Sequence, residues 1–208
     1  MHEIGLNDLK RELKILFDEG VDTYPVALFG ISNYYMFNNQ EKIEEGFRLF
    51  LREVELGNPA KNKSLEDMDL VLELLADYYL LARNTKEFKK SVKWLPSLNA
   101  EQKRKIVSWP EKYILSYFQL IVKGDRGYFK DLKDGQEYLM DFAEDDLELL
   151  DPKTHPNVLT AIMPGEGDSY LSAPPAFYSI DELSMAKLRK IKEKKAYEAE
   201  ALRTFLRT

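Results

Sequence analysis

Apolar residues recur at helical spacing along most of the first 150 residues. The pattern is clearest between residues 68 and 96, where two apolar runs are separated by Arg83-Asn84-Thr85. Positions three and four residues apart share one face of a helix, so each run predicts one amphipathic helix. We expect Thr85 to cap the second helix, and Pro96 to end it because proline lacks a backbone N–H. The first run comprises positions 68, 71, 72, 75, 78, 79 and 82, and the second comprises Phe88, Val92 and Leu95.

Breaker residues divide the chain before this pair into three further predicted helices. A leucine stripe at positions 6, 9, 13 and 16 predicts a first helix that ends at Gly20. The second helix begins at Asp22 or Thr23, before Pro25, and runs to Asn38-Asn39. The third follows at once and ends at Gly57-Asn58-Pro59.

The chain after Pro96 repeats the pattern of helix, turn and helix. Asn99 is placed to cap a short helix that ends near Trp109-Pro110. Tyr113, Ile114, Tyr117 and Ile121 are spaced as the inner face of a helix over 111–122. A turn at Gly124-Asp125 leads to a partner helix whose inner face includes Phe129, Leu132, Gln136, Met140 and Ala143.

Three segments share one order, in which an aromatic-rich helix end is followed by a polar turn and a charged helix. They are residues 32–43, 76–88 and 115–129, with turns near positions 39, 84 and 124. A period of roughly 40 residues is typical of repeated helix pairs that stack against their neighbours. The sequence therefore predicts an all-α fold, with a short degenerate α-solenoid of antiparallel helix pairs over residues 1–151.

The last third of the chain differs in composition. Residues 152–178 are rich in proline and glycine, which predicts an extended or irregular segment. Ser179 and Glu182 have the spacing of a capping box and predict a C-terminal helix that reaches about Leu206. This helix over 179–208 is basic and has an apolar stripe, so we expect it to pack on the acidic body within one domain.

Charge and cysteine content exclude several classes of protein. The 208 residues include 30 basic and 36 acidic side chains, and residues 187–208 alone hold 8 basic and 3 acidic ones. The remaining body therefore has 22 basic and 33 acidic side chains, which argues against binding to nucleic acid. The absence of cysteine excludes disulfides and thiolate chemistry, and no long apolar segment is present. These features predict a cytoplasmic protein that does not span a membrane.

The sequence contains no recognisable catalytic or cofactor motif. Only His2 and His155 are present, and neither has a companion at metal-ligand spacing. The segment PGEGDS at 164–169 lacks the lysine and the following helix of a phosphate-binding loop, so a plain turn is predicted. We expect no catalytic, cofactor-binding or metal-binding residues.

One acidic run is the candidate for contact with a partner. It could be a solvated helix face, a surface for a basic partner, or a carboxylate site for Mg²⁺ or Ca²⁺. We predict the partner surface. Its residues are Asp141, Glu144, Asp145, Asp146, Glu148 and Asp151.

Residues 115–139, LSYFQLIVKGDRGYFKDLKDGQEYL, resemble the helix pairs of all-α immunity proteins from bacterial polymorphic toxin systems. The body also resembles tetratricopeptide-type pairs loosely, through Gly46, Phe50 and Pro59. The first resemblance implies a non-enzymatic cytoplasmic inhibitor that binds one toxin, and an acidic body would speed its association with a basic toxin.

Two alternatives belong to other functional classes. A helical-repeat adaptor would hold a peptide or an assembly partner along a concave face. An enzyme using carboxylates and a metal would need at least three acidic oxygens converging in a cleft.

Overall fold

A computed structural model describes residues 5–53, 74, 76–142, 157–173, 176–177 and 180–207 of the 208-residue chain. The N-terminal half of the described chain is helical, as the apolar periodicity predicts. Within the described residues, no helix has both the length and the apolar composition to cross a membrane. The helices are α1 (Leu6–Asp18), α2 (Thr23–Glu53), α3 (76–82), α4 (Thr85–Trp94), α5 (Ala100–Val107) and α6 (Trp109–Lys112).

The predicted breaks around α1 and α2 are partly confirmed. Gly20 has φ +74° after the end of α1, a left-handed conformation that favours glycine, and α2 begins at Thr23. The predicted break at Asn38-Asn39 is confirmed in position, because Asn39 has non-helical angles (φ −137°, ψ 20°). It is a kink and not the turn of a helix pair, since α2 continues beyond it to Glu53. The Asn39 side chain donates a 3.0 Å hydrogen bond to the Tyr35 carbonyl and so remains satisfied inside the bend.

The second helix of the predicted central pair is confirmed as α4. Its residues Phe88 and Val92 are buried, and Leu95 is buried directly after it. Asn84, rather than Thr85, occupies the N-cap position. The predicted Asn99 cap of α5 is confirmed, and it is part of a capping box. The Asn99 side chain accepts from the Gln102 backbone N–H, and the Gln102 side chain accepts from the Asn99 backbone N–H. Most of the first helix of this central pair lies outside the described residues. The predicted end of the preceding helix, at Gly57-Asn58-Pro59, also lies outside them.

The all-α prediction is wrong, because the C-terminal half contains an antiparallel sheet in the order β3-β2-β1-β4-β5. Where a helix pair was predicted, residues 114–139 form the strands β1, β2 and β3, and the Gly124-Asp125 turn joins β1 to β2. The α-solenoid and the tetratricopeptide-like repeat are therefore also wrong, since one of the three repeats is a β-hairpin. The strands are β1 (Ile114–Lys123), β2 (Arg126–Asp131), β3 (Glu137–Leu139), β4 (Asn157–Pro164), β5 (Tyr170–Ser172) and β6 (Ala176–Phe177), which pairs with β4.

Burial on both faces explains why β1 has the spacing of a helix. Leu115 and Tyr117 face the helices, whereas Phe118 and Leu120 face the opposite side, and all four are buried. A strand buried on both faces reads as a continuous apolar run, and such a run is not distinguished from a buried helix by periodicity. Pairing with the neighbouring strands makes this segment a strand and not a helix.

The sheet curls so that its two outer strands meet. Met140, just after β3, forms an isolated bridge with Tyr170 of β5, and the Asp141 backbone N–H donates a 2.8 Å bond to the Tyr170 carbonyl. Aromatic rings fill the curl: Phe118 stacks on Phe129 at 5.4 Å between ring centroids, and Tyr138 meets Tyr170 edge to face at 5.1 Å.

The C-terminal segment forms two helices, α7 (Glu182–Leu188) and α8 (Lys194–Arg207), instead of the single predicted helix. Asp181 caps α7 by accepting from the Ser184 backbone N–H at 2.9 Å, and the predicted cap Ser179 lies outside the described residues. Helix α8 packs on the sheet, where the Tyr117 hydroxyl donates to the Ala201 carbonyl at 3.3 Å. The predicted turn at 164–169 joins β4 to β5.

Candidate functional site

Helix α2 carries large apolar side chains on its solvent side. Phe29 is 55% exposed and Phe37 is 60% exposed. They are eight residues apart, which is about 12 Å along a helix. A shallow depression of about 390 Å³ adjoins Phe37 and is also lined by Met36 and Ile43. We call the group Phe29, Met36, Phe37 and Ile43 the α2 face.

The opposite side of α2 fixes the orientation of this face. Leu28, Ile31 and Tyr35 are buried there in the core shared with α1 and α4. Helix α3 docks on the same helix through a 2.5 Å hydrogen bond from the Ser32 hydroxyl to Asp77. The α2 face therefore stays turned outward. Exposed aromatic side chains are common anchors of surfaces that contact proteins.

Acidic and amide side chains border the α2 face after the kink. Glu41, Glu44 and Glu45 are exposed. Gln40 donates to Glu44 at 3.3 Å, and Arg48 lies 3.6 Å from the same carboxylate. An apolar centre with a charged border is the usual anatomy of an interface.

The predicted acidic run is described only at its first residue. Asp141 lies just after β3 in an extended segment, so the predicted helical arrangement is wrong at this position. Burial raises the pKa of Asp141, and the nearby carboxylates Asp22 and Glu166 raise it further. Outside the described residues are Glu144, Asp145, Asp146, Glu148 and Asp151, together with His2 and His155.

A second feature is a pocket of about 370 Å³ between α6, the β2–β3 turn and the start of α8. We call it the polar pocket. Its lining includes Tyr113, Asp131, Lys133, Lys194, Tyr197 and Glu198.

Glu198 is the most deeply buried charged group in the lining, at 1% exposure. Its Oε2 accepts a 2.8 Å hydrogen bond from the Tyr113 hydroxyl, whereas its Oε1 has no hydrogen-bond donor among the described residues. Lys194 Nζ lies 3.8 Å from Oε1, which is beyond hydrogen-bond length, and donates instead to the Tyr113 carbonyl at 2.8 Å. Burial raises the pKa of Glu198 and of Tyr113, and burial lowers the pKa of Lys194.

Asp131 is the second buried carboxylate of the polar pocket. Its Oδ1 accepts from the Ser116 hydroxyl at 2.7 Å and from the Lys133 backbone N–H at 2.8 Å. Burial raises the pKa of Asp131 despite these two bonds. Burial also raises the pKa of Tyr197, to about 12, so its hydroxyl keeps its proton at neutral pH.

Sequence reasoning missed both features. The α2 face had a signal, because Phe29 and Phe37 fall opposite the buried stripe of the same helix. The polar pocket had no such signal in the sequence, since Asp131 and Glu198 come from distant parts of the chain. Among the described residues, no group of three histidine, aspartate or glutamate side chains is placed to hold a metal ion.

Comparison with protein families, curated proteins and solved structures finds no match to this chain.

Proposed function

We propose that this protein acts by binding another protein, and that the partner is a toxin that it neutralises as an immunity protein. The exposed α2 face carries the proposal. Phe29 and Phe37 each leave more than half of their surface in solvent, whereas Leu28, Ile31 and Tyr35 of the same helix are buried. Aromatic side chains of this kind are the common anchors of protein interfaces.

Charge supports a basic partner. The chain has a net charge of −6, and Glu41, Glu44 and Glu45 stand beside the α2 face. Complementary charge at the border of an interface raises the association rate, while the apolar centre provides most of the affinity. We expect binding to weaken moderately at high salt and to be lost when the aromatic centre is removed.

The experiment uses the full chain and the product of each gene adjacent to its own. Co-expression should restore growth of cells that express the toxin, and titration calorimetry with the purified toxin should give a saturable complex. Phe29→Ser and Phe37→Ser should each weaken binding by about tenfold to a hundredfold, because anchor residues contribute roughly 1–3 kcal/mol. Leu183→Ser is the matched control, since Leu183 is 70% exposed on α7, outside the α2 face.

The outcomes separate the two parts of the proposal. If no neighbouring product is toxic or none is neutralised, the immunity function is wrong. If neutralisation occurs but both phenylalanine variants bind as tightly as the native chain, the partner occupies another surface and the α2 face is not the site.

A further inference from the structure

Among the described residues, the polar pocket contains a buried carboxylate with one oxygen that receives no hydrogen bond, and a lysine ammonium that forms no ion pair. The first is Glu198, whose Oε1 receives no hydrogen bond in the part of the chain that the structure describes. A buried acceptor without a donor is costly, so its presence requires an explanation, and a bound molecule that supplies the donor is one.

Asp131 offers a second acceptor in the same lining. Both of its hydrogen bonds fall on Oδ1, and none from the described residues reaches Oδ2. Two buried carboxylates in one pocket favour a ligand group that brings several N–H donors and a positive charge. An ammonium group has three such donors.

The second group is the ammonium of Lys133. It lies 4.1 Å from the centroid of the Tyr197 ring, and no carboxylate of the described residues lies within ion-pair distance of it. Its backbone N–H, by contrast, is already bonded to Asp131. The ring holds the lysine over the pocket by a cation–π contact and leaves its N–H donors for an anionic group.

We propose that the polar pocket binds a small zwitterion of the α-amino acid class, with its ammonium toward Glu198 and Asp131 and its carboxylate toward Lys133. The volume of about 370 Å³ is near the lower end of the range for ligand pockets, roughly 300–1,000 Å³, as a small ligand requires. Lys194 does not compete for the carboxylate, because it is held by the Tyr113 carbonyl and lies over the Tyr113 ring. This binding is independent of the proposed toxin contact, which uses the α2 face.

The test measures the melting temperature of the full chain with each of the twenty amino acids, followed by calorimetry on those that raise it. Three matched probes dissect the interaction. Glycine betaine keeps both charges but has no N–H donor, propionate has only the carboxylate, and propylamine has only the ammonium. We expect saturable binding of at least one amino acid and no binding of the three probes.

Two variants locate the binding. Glu198→Gln and Lys133→Met keep side-chain length and remove one charge each, and each should weaken binding by about tenfold or more. The controls Glu12→Gln and Lys187→Met change exposed residues outside the pocket and should bind as the native chain does. Circular dichroism checks that every variant is folded, and Lys133→Glu gives a second test at a partly exposed position.

Three results would overturn the proposal. They are the absence of binding by every amino acid, equal stabilisation by glycine betaine, and unchanged affinity in the folded Lys133 variants. A loss of amino acid binding with intact toxin binding supports two separate sites. If toxin binding fails while an amino acid still binds, the immunity proposal is wrong and the pocket proposal is retained.

Discussion

Ser116 and Asp131 are joined by a 2.7 Å hydrogen bond between two side chains that are 0% and 3% exposed. Ser116 has a single hydroxyl proton, and it is used in this bond. The Tyr197 hydroxyl, 2.6 Å from the same serine oxygen, must therefore be the donor in that contact. The three groups form one directed chain of hydrogen bonds that ties α8 to β1 and β2.

Removing Ser116, the middle group of these hydrogen bonds, should destabilise the protein. Ser116→Ala leaves the Tyr197 hydroxyl without an acceptor and takes one donor from Asp131. We expect the free energy of unfolding to fall by about 1–3 kcal/mol, the usual effect of leaving buried polar groups unpaired. Urea denaturation measures it.

Ser184→Ala is the control for this substitution. Ser184 also donates to an aspartate, Asp181 at 2.5 Å, but that pair is exposed. Loss of the hydrogen bond between Ser184 and Asp181 should change the free energy of unfolding by less than about 0.5 kcal/mol. Equal effects at the two serines would mean that burial does not strengthen the Ser116 contact.

The pKa of Glu198 predicts how stability depends on pH. Burial raises its folded-state pKa above the ordinary value of 4.5. Between 4.5 and the raised value the folded chain binds more protons than the unfolded chain, so this group lowers stability as pH rises. Glutamine does not titrate. The stability of Glu198→Gln relative to the native chain should therefore increase from pH 4 upward and level off above the raised pKa.

Denaturation at a series of pH values measures this difference. Glu182→Gln is the control, because it removes a carboxylate whose side chain is 89% exposed. A relative stability of Glu198→Gln that decreases with pH would contradict the prediction. It would show that Lys194, 3.8 Å away, stabilises the carboxylate by more than burial destabilises it.

The sequence predicts the helical half of the fold because those helices bury one face only. Leu9 and Leu13 in α1, and Phe88 and Val92 in α4, are buried at helical spacing while their neighbours are polar. β1 has no such contrast. Phe118 and Leu120 bury against the curl while the opposite face buries against helices, so the alternation that distinguishes a strand is absent.

The candidate sites could not be predicted from local sequence patterns, for a different reason. Asp131 and Glu198 are separated by 67 positions, and they line one pocket only because α8 returns to the sheet. The acidic run at 141–151 was chosen by local charge density, which does not report what a segment packs against. At Asp141 an extended segment paired to Tyr170 replaces the predicted helix.

The capping box of α5 gives a prediction that depends on local structure alone. Asn99→Ala removes the acceptor for the backbone N–H groups of Glu101 and Gln102, each 2.9 Å away. We expect a loss of about 1 kcal/mol in the free energy of unfolding. Asn99→Asp keeps the acceptor and should retain most of the stability. A loss with aspartate as large as that with alanine would show that the cap acts through another contact.

Two glycines of α2 should respond in opposite directions to alanine. A Cβ at Gly30 would lie 2.7 Å from a methyl carbon of Leu95 and 2.8 Å from one of Leu13, and both leucines are buried. A Cβ at Gly46 would meet Tyr79 at 3.8 Å, an ordinary contact distance. Alanine is favoured over glycine by about 1 kcal/mol inside a helix. Overpacking a core costs about 1–3 kcal/mol.

At Gly46 the helix preference acts alone, so Gly46→Ala should stabilise the protein by up to about 1 kcal/mol. At Gly30 the two leucines are enclosed by the core and the clash outweighs that gain, so Gly30→Ala should destabilise it by up to about 2 kcal/mol. Thermal and urea denaturation of both variants measure the two effects in one helix. Stabilisation by both substitutions would show that Leu13 and Leu95 can move apart, and that α1 packs less tightly on α2 than these distances indicate.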